Sequence, residues 1–341
     1  MEQRVEFPSD GETLVGRLFR PDDATGPLPT VVAAGGWCYT KEIVLPHVAR
    51  IVNESSVQVL TFDYAGVGES SGGRRQHLDP WQQISDYRNA LTYVESREDV
   101  NPDKLGAFGI SYSGGHVLIL AAIDPRVKAV VSVVPVVDGH ATMKRVHGEA
   151  RFADFEAKIL HARRQAPLGT DDRIAFATLT PAEELSVWPF PRIYEVFNQI
   201  KADEAPLHEH WSTTESAELL LNYSVFNFLP RVLDKKVMMI VAEGDNITAW
   251  DLEIAAFNQV ASPFKKLAVL PAVSHMSLYA ERSDTNIAAA HTRDWFGEQL
   301  SEGGRIGSLA PVTGPDLSKQ DALLAQCGQL TGTELAGPAG G

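Results

Sequence analysis

Residues 106–115 read Gly-Ala-Phe-Gly-Ile-Ser-Tyr-Ser-Gly-Gly and constrain the fold more than any other stretch. The apolar run from Lys104 to Ile110 predicts a buried strand, and the run from His116 to Ile123 predicts a helix. Ser111 sits between them, with Gly109 two residues before it and Ser113 two residues after. A residue on so sharp a strand-to-helix turn adopts a strained backbone, and only small neighbours let the chain pass. The turn lifts the serine hydroxyl clear of a sheet and aims the N–H of Tyr112 and a helix N-terminus at the same point. Ser113 fits a shifted register of the same pattern. Ser111 is preferred because it directly follows the strand and leaves Gly114 and Gly115 for helix packing.

Strands and helices alternate around this motif. Val5–Phe7 and Thr13–Phe19 read as a hairpin turning at Ser9-Asp10-Gly11, followed by strands at Thr30–Ala34 and Val57–Phe62. Helical spacing covers Lys41–Asn53 and Asp79–Arg97, and another strand runs from Ala129 to Val137. After Asp138 the rhythm breaks for roughly 90 residues, which read as helical and aromatic with no clear buried strand. Strands at Lys236–Ala242 and Lys266–Leu270 and helices at Leu252–Val260 and Ile287–Leu300 complete the pattern. Such alternation predicts a mostly parallel, doubly wound α/β sheet. The expected organisation is a core from residues 1–138 and 231–302, a helical cap over residues 139–230, and a Gly/Pro-rich tail over residues 303–341. A short helical piece is expected around Leu323-Leu324.

Two sites beyond the sheet strands supply partners for a serine nucleophile, which needs a base and a group to orient it. Asp245 follows the strand ending at Ala242, and His275 follows the one ending at Leu270. Both belong at the carboxyl edge of the sheet, with Ser111. Asp138 is a rival acid at the end of the preceding strand. The oxyanion hole calls for two backbone donors, expected from Tyr112 and from Trp37 in the loop Gly35-Gly36-Trp37-Cys38. Gly36 lets that loop approach the serine. Cys38 reads as a small buried residue and His116 as core. His208-Glu209-His210 lacks metal-ligand spacing and reads as a solvated surface, so no metal and no cofactor are expected.

These motifs resemble the α/β-hydrolase superfamily, and within it the branch similar to dienelactone hydrolases and X-Pro dipeptidyl peptidases. The resemblance covers residues 5 to about 300. It rests on Gly36-Trp37 with Lys41-Glu42, on Asp63-Tyr64-Ala65-Gly66-Val67-Gly68-Glu69-Ser70, on Gly109 to Gly115, and on Asp245 and His275. The second motif resembles the family's D-Y-R-G-x-G-x-S loop, with Ala65 where arginine is usual and a structural role in holding a turn. Capped relatives often form homodimers, and a homodimer is the matching expectation here. The resemblance implies a serine hydrolase acting on an ester, thioester or lactone of an apolar acyl group. The alternatives are an acyltransferase of secondary metabolism with the same residues, or hydrolysis of a C–C bond or a peptide. A binding protein on an inactive hydrolase fold would need a broken set of three residues, and all three positions carry functional side chains.

Composition narrows the remaining classes. The net charge of −14 argues against nucleic-acid and anionic-membrane partners, which need a basic surface. Two distant cysteines, Cys38 and Cys327, make no disulfide framework. The start of the chain has no apolar signal-peptide core, and no apolar run is long enough to span a bilayer, so a cytoplasmic location is expected. The cap carries Trp188, Phe190, Tyr194, Phe197, Trp211, Tyr223, Phe226 and Phe228. Trp188, Phe190 and Tyr194, together with Trp37, are the candidates to contact an apolar substrate.

Overall fold

The computed structural model describes residues 1–22, 24–168 and 172–301. The tail expected over residues 303–341, with the helix around Leu323-Leu324, lies outside them.

Eleven strands are described, and eight of them form one sheet. β1 (Glu2–Ser9) and β2 (Glu12–Phe19) pair as an antiparallel hairpin, joined at Asp10-Gly11, where both residues have positive φ. β3 (Leu28–Ala34), β4 (Gln58–Phe62), β5 (Val100–Ile110), β6 (Val127–Val133), β10 (Lys236–Ala242) and β11 (Lys265–Leu270) continue the sheet. The order is β1-β2-β4-β3-β5-β6-β10-β11. Every pair from β4 to β11 is parallel. The central strands read as continuous apolar runs because helices cover both faces. Val31 to Ala34, Leu105 to Ile110 and Val237 to Ala242 are all buried.

The covering helices follow the expected spacing, with shifted ends. α2 (Pro80–Glu95) starts at Asp79, whose carboxylate accepts the Trp81 and Gln82 N–H groups. α3 (Tyr112–Ile123) leaves the elbow, and α9 (Arg282–Leu300) packs against α1. α1 runs only over Leu45–Asn53, so the helix expected from Lys41 begins four residues late. Pro46 sits in its first turn, where a missing N–H costs nothing. Lys41 is held elsewhere: its N–H and its ammonium both donate to Asp63.

The insertion between β6 and β10 contains α4 (Gly139–Gln165), α5 (Pro191–Asp203) and α6 (Thr214–Leu221). α4 breaks at Gly148, whose φ of 66° no helix accepts. The expectation of no strand here is corrected. β7 (Arg173–Ala177), β8 (Ser186–Trp188) and β9 (Trp211–Thr213) form a three-stranded sheet, β8-β7-β9. Strands of three to five residues are too short to show a period. The core and the insertion pack as one compact unit.

Candidate active site at the carboxyl edge of the sheet

Register brings the strand ends together. Ala34 pairs with Gly109, Ile110 with Val133, Val133 with Ile240, and Ala242 with Leu270. The loops that follow β3, β5, β10 and β11 therefore open on one edge. They carry Trp37, Ser111, Asp245 and His275.

Ser111 has φ 60° and ψ −122°, a conformation a side-chain-bearing residue rarely adopts. Its N–H donates to the Val133 carbonyl at 2.9 Å, which ties the turn to β6. The turn closes only because Gly109 has no side chain. A Cβ there would lie 2.1 Å from the Ser113 carbonyl oxygen. Hydrogen bonding gives the two serines of the elbow different surroundings. Ser113 is fully buried, donates to the Ala34 carbonyl at 2.7 Å, and accepts from the Ile110 N–H at 2.9 Å. Its hydroxyl holds the elbow together. Ser111 lines a cavity with His275.

His275 Nδ1 lies 2.7 Å from Asp245 Oδ2, and both side chains are buried. Asp245 Oδ1 accepts the N–H groups of Ile247 and Thr248 at 2.8 and 2.9 Å. Burial alone would raise the Asp245 carboxyl. The charge and hydrogen bond of His275 and the donors of Thr248 outweigh it and hold the carboxyl below its usual range. Because Nδ1 faces Asp245, Nε2 is the His275 nitrogen left for other partners. The rival acid Asp138 caps α4 instead, accepting the Ala141 N–H at 2.8 Å.

The loop after β3 comes close to the elbow at Gly36. The Trp37 ring lies 5.1 Å from the Tyr112 ring and 6.5 Å from that of Trp188. Tyr112 opens α3, so its N–H has no partner within the helix. Buried Lys41 anchors the far end of the loop to Asp63 and Glu69. The turn motif after β4 thus has the structural role expected of it.

The cavity over Ser111 has a volume of about 10 Å³, room for roughly one water. Its walls include Trp37, Tyr39, Phe176, Trp188, Ile193 and Phe197. Of the three cap residues expected here, Trp188 is present, and Phe190 and Tyr194 do not line the cavity. Phe190 caps α5, and the Tyr194 ring packs on His210. Sequence reading missed Phe176 because it sits on β7, a strand too short to recognise. It also missed Tyr39 and Tyr279, which no motif marks. Both phenols are pushed up by burial and lie near the Ser111 hydroxyl, so both remain donors. The Tyr279 and Tyr39 hydroxyls also lie close to each other. A larger groove of about 520 Å³ lies along α5 and is lined by Arg192, Val196, Gln199 and Tyr279. Helix α5 thus separates it from the cavity, to which it presents Ile193 and Phe197.

The reading of His208-Glu209-His210 as a solvated surface is corrected. His208 is fully buried, and its Nδ1 lies 3.0 Å from the Cys38 carbonyl oxygen. A pair of histidines flanking a glutamate looks polar in sequence, but Phe176 and Phe197 enclose the His208 ring. Cys38 and His116 are buried as expected. Among the described residues no cluster could hold a metal ion, and no helix is long and apolar enough to cross a membrane.

The family model for the alpha/beta hydrolase fold matches residues 29–281. The chain belongs to this family. Among the relatives of this α/β-hydrolase is thiohydrolase aneE of Aspergillus aculeatus, 37% identical over 160 residues, 47% of this chain and 48% of that protein. Acyltransferase drtE of Aspergillus calidoustus is 27% identical over 286 residues, covering 82% of this chain and 89% of that protein. The crystal structure of the α/β-hydrolase GrgF from Penicillium sp. sh18 shares the fold, with a TM-score of 0.73 and 20% identity over 88% of this chain and 99% of that one. The narrower likeness to dienelactone hydrolases and X-Pro dipeptidyl peptidases has no counterpart among these matches.

Proposed function

We propose that this α/β-hydrolase cleaves an acyl thioester or ester of an apolar acid through an acyl-enzyme on Ser111. The observation that carries the reading is the strained Ser111 on a cavity shared with His275, whose Nδ1 is held by Asp245 at 2.7 Å. His275 Nε2 takes the Ser111 proton as Oγ bonds to the carbonyl carbon. The oxygen becomes an anion, held by the N–H groups of Tyr112 and Trp37. The carbonyl re-forms, the C–S or C–O bond breaks, and His275 returns the proton to the leaving thiol or alcohol. Water, deprotonated by His275, then releases the acid. Asp245 keeps the tautomer and stabilises the imidazolium. The thiohydrolase names among the relatives favour thioesters as the substrate class.

A second reading replaces water with an alcohol or amine, making the protein an acyltransferase. It is favoured by the small, largely apolar cavity, which has room for little water. The cap, residues 139–230, selects the acyl group through Phe176, Trp188, Ile193 and Phe197, which line the cavity.

The test offers acyl thioesters of graded chain length with and without added alcohols and amines. The expected result is acid release and covalent capture of Ser111 by a fluorophosphonate. Product diverted wholly to the added nucleophile favours acyl transfer. Neither turnover nor labelling of the folded protein overturns both readings.

A further inference from the structure

Behind the Asp245–His275 pair stands a second carboxyl group with no assigned role. Glu253 lies on α7 (Trp250–Gln259) and is fully buried. Thr248 Oγ1 bridges it to Asp245, 2.7 Å from Glu253 Oε1 and 2.8 Å from Asp245 Oδ2. A threonine hydroxyl has one proton and cannot donate to two carboxylates at once. If both acids were ionised, one contact would set two lone pairs against each other. One acid therefore carries the proton.

The surroundings decide which. Asp245 accepts from Ile247, Thr248 and His275. Glu253 Oε1 has only Thr248, and Oε2 has no partner. The charges acting on Glu253 are Asp245 and Asp251, both negative. Asp251 is paired with Arg145. Of the elements packed on α7, β10 brings Lys236, whose ammonium donates to the Gln299 carbonyl. The 3₁₀ turn Leu229–Arg231 brings Arg231, whose guanidinium lies over the Phe228 ring. Among the described residues, no Lys or Arg forms an ion pair with Glu253, and the charges that act on it are acidic. Burial, followed by the Asp245 charge, pushes its carboxyl well up.

We propose that Glu253 is a positioning residue: as a neutral acid it donates to Thr248, which makes Thr248 donate to Asp245 and holds that carboxylate in line with His275. The proton chain has one direction, from Glu253 to Thr248 to Asp245, with His275 donating from the other side. A freely rotating Thr248 hydroxyl would leave Asp245 Oδ2 less restrained. The role of Glu253 in turnover rests on the proposed His275 base, but its protonation does not.

The experiment compares infrared spectra of the whole protein and Glu253→Gln at neutral pH. The expected result is a carbonyl band of a protonated carboxylic acid that disappears in the variant. Absence of that band overturns the proposal whether or not the protein turns over substrate. Glutamine retains a donor for Thr248, so kcat/KM should stay within about threefold of the original. Thr248→Val cuts the link and should lower kcat about tenfold with KM little changed. Glu253→Leu should lower kcat severalfold. An unchanged Thr248→Val or folded Glu253→Leu, or a Glu253→Gln as impaired as Thr248→Val, overturns the positioning role.

Discussion

Gly36 and Ser111 are in such close contact that a Cβ added to Gly36 would stand 2.9 Å from the Ser111 Cβ and 3.2 Å from its hydroxyl oxygen. The loop after β3 can touch the elbow only with a hydrogen at that position. Gly36→Ala must push the loop away from the serine, carrying the Trp37 N–H with it. We expect kcat to fall about 100-fold, the scale seen when one oxyanion donor is lost. The melting temperature should change little, because the loop remains anchored through Lys41. Steady-state kinetics and a thermal melt check both halves.

The two serines of the elbow should separate cleanly. Ser111→Ala should lower kcat by roughly 10³-fold or more and abolish fluorophosphonate labelling without unfolding the protein. Ser113→Ala removes a hydroxyl that ties the elbow to β3, and leaves the Ala34 carbonyl without that donor. It should destabilise the fold by about 1–3 kcal/mol while Ser111 still labels. Peptide mapping of the labelled protein identifies the serine.

The acid can be tested the same way. Asp245→Asn would present the His275 ring with the wrong tautomer and should cost about 10³-fold or more in kcat. Asp138→Asn keeps an acceptor for the Ala141 N–H and should leave kcat nearly unchanged, at a cost of a few tenths of a kcal/mol in stability. Equal losses from the two variants in kcat would reject Asp245 as the group that orients the base.

Acid should weaken the fold through histidines away from the site. Burial lowers His116 to about 3 and His208 to about 3, and it lowers His147 to about 4. Each is neutral when folded and takes up a proton near pH 6.5 when unfolded. The unfolded state therefore binds more protons between about pH 6.5 and pH 3 for His116 and His208, and down to about pH 4 for His147, so stability is full above that window and falls as pH drops through it. Within the window each histidine contributes a slope of up to about 1.4 kcal/mol per pH unit. Urea melts across this range should show the slope, and His116→Gln should reduce it by about one proton's worth.

The cap should govern which acyl group is accepted. Trp188→Ala and Phe197→Ala remove cavity walls and should raise KM for bulky acyl thioesters more than for short ones, at about 25 cal/mol per Å² of lost apolar contact. Phe190→Ala, which lies off the cavity, should leave that preference unchanged. Equal loss of kcat on all chain lengths in stable variants would show that the cap positions the catalytic groups instead.

The sequence by itself determined the sheet and the elbow, and it marked Ser111, Asp245 and His275 as candidates on strand-end loops. Those features are local: Gly109 and Ser113 are small because the chain crosses itself within five residues, and apolar runs mark strands buried on both faces. Ser111 directly follows such a run, and Asp245 and His275 stand in the loops that follow two others, which is why the sequence marks them as candidates. Tertiary structure decided what depends on approach between distant segments. It made Ser113 a strut through its bond to Ala34, and it buried His208 behind Phe176 and Phe197. It also brought Tyr39 and Tyr279 to Ser111, and set Phe190 and Tyr194 off the cavity. Glu253 looks like an ordinary helix glutamate until the fold buries it fully against Thr248 and the Asp245 carboxylate. Burial and pairing across the fold are properties of packing, and no spacing along the chain encodes them.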